Sequence, residues 1–148
     1  NVNLSATWEM GKFSTLLRAV RYGEVSLVQA SSATTAQIDA LTPGYDVSFA
    51  PAVPGTVGGT TTNRQVIQTF GAKWLTDLDV TYSYNKNITV SIGANNLFDV
   101  YPDENIRSKV VGGVAFNGYD NAGIFPYSGI SPFGFNGTFY YTKLSLKF

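Results

Sequence analysis

The sequence has neither cysteine nor histidine. Without cysteine there is no disulfide, no thiolate nucleophile and no thiolate-ligated metal. Without histidine, the commonest metal ligand and the usual general base near neutral pH are missing. Ser/His/Asp and Cys/His catalytic sets are therefore excluded, and the chain is not expected to be an enzyme. Charge is also sparse: basic and acidic residues number 10 each and make up 14% of 148 residues. A balanced charge argues against nucleic acid, which needs a concentrated positive field. No run of about 18 apolar residues occurs, so no transmembrane helix is expected. No signal peptide is evident. The chain opens on Asn1-Val2-Asn3-Leu4, lacks an initiator methionine and already alternates like a strand. The expectation is one domain's worth of chain taken from a longer precursor.

Aromatic residues are abundant, at 14%, and the dominant pattern is alternation. Trp74, Thr76, Leu78, Val80, Tyr82 and Tyr84 share one phase, while Lys73, Leu75, Asp77, Asp79, Thr81 and Ser83 share the other. A period of two over this length predicts a strand. Asn85-Lys86-Asn87 supplies turn residues that tolerate left-handed backbone angles. Beyond it, Ile88, Val90, Ile92 and Ala94 alternate with Thr89, Ser91, Gly93 and Asn95. An antiparallel hairpin with one apolar and one polar face follows. The apolar face carries no charge, with Tyr82 and Tyr84 at the turn and Trp74 at the far end. Lipid outside, water inside and aromatics at both rims are the pattern of a transmembrane β-barrel strand. Roughly 9–11 tilted residues cross a bilayer, and Trp74 to Tyr84 is that long. A soluble sandwich strand could show the same alternation.

Three more segments fit. Val2 to Glu9 alternates with Leu4, Ala6 and Trp8 in phase, and Met10-Gly11-Lys12 makes a short turn. Phe13 to Tyr22 is apolar on both faces, and Arg18 sets its phase. A charge facing lipid at mid-membrane costs about 2–4 kcal/mol, so Arg18 should face the lumen with Ser14 and Leu16. Phe13, Thr15, Leu17 and Ala19 then face lipid, and Arg21 sits near the rim, where it can snorkel. Asn136 to Phe148 closes the chain, with Tyr140, Thr142, Leu144, Leu146 and Phe148 on one face, opposite Phe139, Tyr141, Lys143, Ser145 and Lys147.

Glu24 to about Gln65 is read as one long loop, with Pro43-Gly44, Pro54-Gly55 and Gly58-Gly59 as turn signals. A short helical turn is expected at Thr35 to Leu41. Asp99 to Gly134 is a second long loop, with a short strand expected over Lys109 to Val114. The short turns fall on one side and the long loops on the other, as in an outer-membrane barrel. The fold class predicted is all-β: five antiparallel barrel strands with two long extracellular loops. A closed bacterial barrel starts at about eight strands, and an open edge in lipid leaves backbone groups unsatisfied. The strands should therefore be the last of a bigger barrel.

The terminal strand, apolar at every second position and ending in Phe148, resembles the C-terminal signature of bacterial outer-membrane barrels. GAKWLTDLDVTYSY followed by ITVSIGANNLFDVYPD resembles the C-terminal region of TonB-dependent outer-membrane receptors. The run Asn95 to Asp103 is its most specific part. The resemblance implies a barrel of roughly 22 strands, plugged by an N-terminal domain that has no counterpart here. It implies a bacterial outer-membrane location and active import of a scarce nutrient such as an iron chelate, cobalamin or a sugar. The implied partners are lipid, the remaining barrel and plug, the TonB energising complex and the barrel assembly machinery. That machinery would read Tyr140, Leu144, Leu146 and Phe148.

Arg18, Lys73, Asp77, Asp79 and Asn95 are the candidates to line the lumen. Asp77 and Asp79, two apart on one face, could act as an acid–base pair or capture a cation. The alternative, preferred because lumen walls are polar, is a solvated wall paired with Lys73 or Arg18. Asp99, Asp103 and Glu104 do not match the spacing of an EF-hand and read as a solvated loop. Asn95-Asn96 is assigned a structural role. The loop aromatics Tyr101, Phe116, Tyr119, Phe125 and Tyr127 could stack on a sugar or chelate, or pack on one another as a girdle. Gly55 to Gly59 is not followed by the Gly-Lys-Ser/Thr of a phosphate loop. No metal and no cofactor are expected.

Two other classes compete: a secreted β-sandwich that binds carbohydrate through aromatic loops, and a passive porin. Neither the uncharged girdled face, the loop asymmetry nor the terminal Phe148 is needed by a sandwich. A plug encoded upstream would exclude the porin. Solubility separates the first two directly. The intact protein is expected to require detergent for extraction and to precipitate when it is removed, whereas a protein that stays monomeric without detergent would be a sandwich.

Overall fold

The structure, a computed structural model, describes residues 1–30, 44–49, 65–108, 110–111, 114–115 and 125–148. The helical turn expected at Thr35 to Leu41, and the aromatics Phe116 and Tyr119, lie outside the described residues. In chain order the strands are β1 (Val2–Met10), β2 (Phe13–Tyr22), β3 (Val25–Ala30), β4 (Val47–Phe49), β5 (Gln65–Phe70), β6 (Lys73–Asn85), β7 (Ile88–Asn95), β8 (Val110–Val111), β9 (Val114–Ala115) and β10 (Phe139–Leu146). Among the described residues a single 3-10 turn, Ile106–Ser108, interrupts them. The fold is all-β, and every pairing is antiparallel.

The chain divides into two units. The first comprises Asn1–Gly23, Ala72–Tyr101 and Phe135–Phe148. It is an open five-stranded sheet in the order β1-β2-β6-β7-β10, each strand beside its predecessor in that unit. The five strands are those expected from the alternation. The register keeps their phases aligned across the whole sheet. Ala6, Leu17, Leu78, Ala94 and Tyr140 form one cross-strand row, and Trp8, Thr15, Val80, Ile92 and Thr142 the next on the same face. On the opposite face run Thr7, Leu16, Asp79, Gly93 and Tyr141, and then Glu9, Ser14, Thr81, Ser91 and Lys143. One face is thus predominantly apolar across all five strands, and every charged side chain of the aligned rows lies on the other, which also carries Leu16 and Tyr141.

The short connections lie at one end of this sheet. Gly11, at φ 60°, makes the β1–β2 turn in a conformation that costs glycine little. At the β6–β7 turn the Asn85 side chain accepts bonds from the backbone N–H groups of Asn87 (2.8 Å) and Ile88 (2.9 Å). The pairing shifts between Ser83 and Asn85, a bulge that takes Tyr84 out of the regular alternation. The chain end returns to this same edge, where Lys147 N–H bonds Asn87 C=O at 2.9 Å. The long excursions leave from the other end, after Tyr22 and after Asn95.

The second unit, Glu24–Gly71 and Pro102–Gly134, corrects the reading of those excursions as loops. The first contains β3 and β4, both paired to β5 in a three-stranded sheet. These strands are three to six residues long and carry Ser, Gln and Thr among their apolar residues, so their period is too short to register against the turn-rich background. The single strand expected over Lys109 to Val114 is instead the paired β8 and β9. Gln68 ties this unit together. Its buried side chain donates to Glu104 C=O (2.7 Å) and accepts from Ile106 N–H (2.9 Å).

Among the described residues only two apolar side chains are buried, Ala94 and Ile106. A chain of 148 residues folded as a soluble domain would bury about two thirds of its surface around a core. The large apolar residues of the five-stranded sheet are instead exposed, among them Leu4, Trp8, Phe13, Leu17, Trp74, Ile92, Leu144 and Leu146.

Candidate functional site

The polar face of the five-stranded sheet carries a connected network. Arg18 on β2 faces Asp77 on β6 in register. Its Nε donates to Asp77 Oδ2 at 2.8 Å, and its Nη2 forms the ion pair with the same oxygen. The other oxygen of Asp77 accepts Asn96 N–H at 2.9 Å. The register therefore chooses Arg18 over Lys73 as the partner of Asp77. Lys73 stands opposite Tyr22, at the end of β6 away from the short turns. Asn95 stands opposite Phe139 at the corresponding end of β7.

Asp79 is satisfied separately. Its Oδ1 accepts Thr81 Oγ1 at 2.9 Å and its Oδ2 accepts Tyr141 Oη at 2.7 Å. Thr81 in turn bonds Ser91 at 2.8 Å. Tyr141 reaches Asp79 from two strands away by lying across Gly93, which separates them in the register row. A Cβ on Gly93 would overlap the Tyr141 ring, with Cε1 at 2.7 Å. An aromatic ring laid over a strand glycine covers the exposed backbone and pins register. Both carboxylates thus hold direct protein partners, which suits a polar wall better than a free acid–base pair. Among the described residues no group of three or more Asp, Glu, His or Cys could hold a metal ion.

The segment Asn95 to Asp103 is a bracket at the end of β7. Asn96 (φ 52°) and Asp99 (φ 55°) take left-handed angles, which Asn and Asp tolerate better than other side chains. The Asn96 amide donates to Val100 C=O (2.8 Å) and accepts from Val100 N–H (2.9 Å). Leu97 N–H bonds Thr76 C=O at 2.7 Å, so the bracket is tied to β6. It is also tied to the chain entering β10, where Thr138 gives its hydroxyl to Asn96 C=O (2.7 Å) and its N–H to Asp99 Oδ1 (3.0 Å). Tyr101 packs over Gly137, whose φ of 70° and lack of Cβ make room for it. The structural role expected for Asn95-Asn96 falls on Asn96.

The remaining candidates are dispersed. Phe125 and Tyr127 belong to the second unit, where Tyr127 bridges Glu104 in an isolated β-pair. Asp103 Oδ2 accepts Gly71 N–H at 2.6 Å and Glu104 Oε2 accepts Tyr45 Oη at 3.1 Å, both within that unit. Tyr140, Leu144 and Leu146 lie along β10 on the apolar face, and Phe148 follows it, fully exposed. Tyr141 and Gly93 are the important pair that sequence reasoning left out. Their signal, a large residue opposite a glycine on the polar face, becomes visible only once β7 and β10 are in register.

No known family model, curated protein or solved structure matches this chain.

Gly93→Val is expected to destabilise the protein by about 1–3 kcal/mol, the usual cost of forced overpacking. Tyr141→Phe, which keeps the ring and loses only its bond to Asp79, should cost about 1.5 kcal/mol or less. Urea unfolding of the intact protein in micelles measures both. A Gly93→Val protein as stable as the parent would contradict the ring-over-glycine packing.

Proposed function

We propose that this chain is the C-terminal part of the barrel of a TonB-dependent outer-membrane receptor, and that it serves active uptake of a scarce nutrient. One observation carries the reading: the apolar face of the five-stranded sheet is both continuous and uncovered. Trp8 is 70% exposed, Ile92 62%, Leu144 61% and Tyr140 71%. A patch of this extent on a protein in water would mark an aggregation or interaction surface. Facing hydrocarbon, it is the outer wall of a barrel.

Four further features support it. The opposite face is polar and internally hydrogen-bonded, as a hydrated lumen requires. The strands run up and down in sequence order, with short turns at one end and long excursions at the other. Trp74, opposite Arg21, stands toward one end of the apolar face, and Phe13 and Tyr82 stand toward the other, as aromatic girdles do. Among the described residues β1 pairs only with β2, and β10 only with β7. In a bilayer both free edges need neighbours, which the remaining strands of the receptor would supply. The resemblance of Asn95 to Asp103 and of the terminal strand to these receptors supports the choice of family within this reading. The nutrient is unassigned, and the plug and energising box belong to the rest of the receptor.

Leu144→Arg or Val80→Arg places a charge on the apolar face and is expected to abolish membrane insertion, at about 2–4 kcal/mol per substitution. Thr81→Arg, on the polar face beside Asp79, should insert normally. Heat-modifiable migration of the intact protein in outer-membrane fractions reads the difference, and equal insertion of all three variants would refute the assignment of faces. The sequence of the intact precursor tests the receptor reading itself, since a plug and an energy-coupling box should precede this segment.

A further inference from the structure

The clamp at the start of β10 has an exposed reactive neighbour. Residues 136–138 run outside the strand, which begins at Phe139. Asn136 is exposed, and Gly137 follows it. The bracket requires glycine at 137. Its φ is 70°, a backbone angle that residues with a side chain rarely hold. A Cβ there would also overlap Tyr101 Oη and Asp99 Oδ1. Packing thus fixes the second residue of an Asn-Gly pair, while the first stands in solvent. Among the described residues the Asn136 carboxamide and the Gly137 N–H make no hydrogen bond.

An asparagine placed this way has an intramolecular reaction open to it. The Gly137 backbone nitrogen gives its proton to solvent and attacks Asn136 Cγ. The N–Cγ bond forms, the Cγ–Nδ2 bond breaks, and Nδ2 takes up a proton and leaves as ammonia. A side chain on the second residue would hinder this approach, and a hydrogen-bonded N–H would first have to be freed. Neither obstacle is present at 137. Water then opens the five-membered imide. Attack at Cγ gives aspartate. Attack at the main-chain carbonyl gives isoaspartate, in which the backbone runs through Cβ and Cγ.

We infer that Asn136-Gly137 is a site of spontaneous deamidation, and that isoaspartate formed there releases the clamp on β10. The extra methylene adds about 1.5 Å of main chain two residues before Thr138. Thr138 N–H reaches Asp99 Oδ1 at 3.0 Å, and its hydroxyl reaches Asn96 C=O at 2.7 Å. A hydrogen bond fails beyond about 3.5 Å, so the slack in both contacts is smaller than the added length. The first pair of the strand, Phe139 opposite Asn95, is next to lose support. The site needs only the bracket and water, and it is independent of the membrane reading.

The test ages the intact protein in micelles at mildly alkaline pH. Peptide mass spectrometry reads the amide-to-acid mass gain at each asparagine, and isoaspartyl methyltransferase labelling identifies the isoaspartate. Asn136 is expected to convert well ahead of Asn105, which is buried and followed by isoleucine. Hydrogen exchange at Thr138 should then be about fivefold faster in the isoaspartate fraction, the factor for losing one hydrogen bond of about 1 kcal/mol. Asn136→Ala keeps Gly137 but has no carboxamide, and its exchange should not change with age. Asn117-Gly118, the other Asn-Gly pair of the sequence, serves as the reactivity control. Conversion at Asn117 with Asn136 intact, or at neither, overturns the site. Isoaspartate at Asn136 with unchanged Thr138 exchange, or an equal rise in aged Asn136→Ala, overturns the release of the clamp.

Discussion

Every strand of the larger sheet must keep its apolar phase on the same side as its neighbours', and the remaining features of the molecule depend on that constraint. A slip of one residue in any pairing would move a whole set of side chains to the opposite face. The polar side supplies the contacts that forbid it. Arg18 meets Asp77 across β2 and β6, Thr81 meets Ser91 across β6 and β7, and Tyr141 crosses Gly93 to Asp79. These bonds span four adjacent strands. The apolar band is therefore continuous because the polar network holds the register beneath it.

The same constraint gives the Asn95 to Asp103 segment its place. It closes the far end of β7 by tying Thr76 on β6 and Thr138 ahead of β10 to one left-handed bracket. Asn96 completes the link back to the polar face through Asp77. A motif that reads as a family signature thus has a local mechanical role: it sets where β10 begins, and so which of its residues share the phase of Leu78 and Ile92. The short-turn end is held differently, by the Asn85 side chain and by Lys12, which reaches across to Tyr84.

The sheet was legible in the sequence because its strands are long and their alternation is clean. Even Phe13 to Tyr22, apolar on both faces, fell into phase through the cost of exposing Arg18 to hydrocarbon. Contacts that depend on register were not legible. Asp77 could have paired with Lys73 or Arg18, since spacing along one strand says nothing about which residue stands opposite. Gly93 shows only as a member of the polar phase in the sequence, and its role depends on the Tyr141 ring that lies over it. Strands β3, β4 and β5 of the second unit left no signal because β4 is three residues long and β3 and β5 are embedded in chain rich in Gly, Pro, Ser and Thr. Among the described residues of that unit, Gln68, Asn105, Ile106 and Ser128 are buried, and Gln68 bonds the backbone of Glu104 and Ile106, a polar arrangement that leaves no periodic trace.

What covers the apolar band is the question on which the interpretation turns, and nitroxide accessibility answers it most directly. Single labels at Leu78, Val80, Val90 and Ile92, and at Thr81, Ser83, Thr89 and Ser91, can be compared in the intact protein reconstituted in liposomes. Hydrocarbon contact predicts a strict alternation: the first set accessible to dissolved oxygen and shielded from a water-soluble nickel chelate, the second set the reverse. Labels of the first set shielded from both reagents, as against a second protein layer, would contradict a lipid-facing sheet.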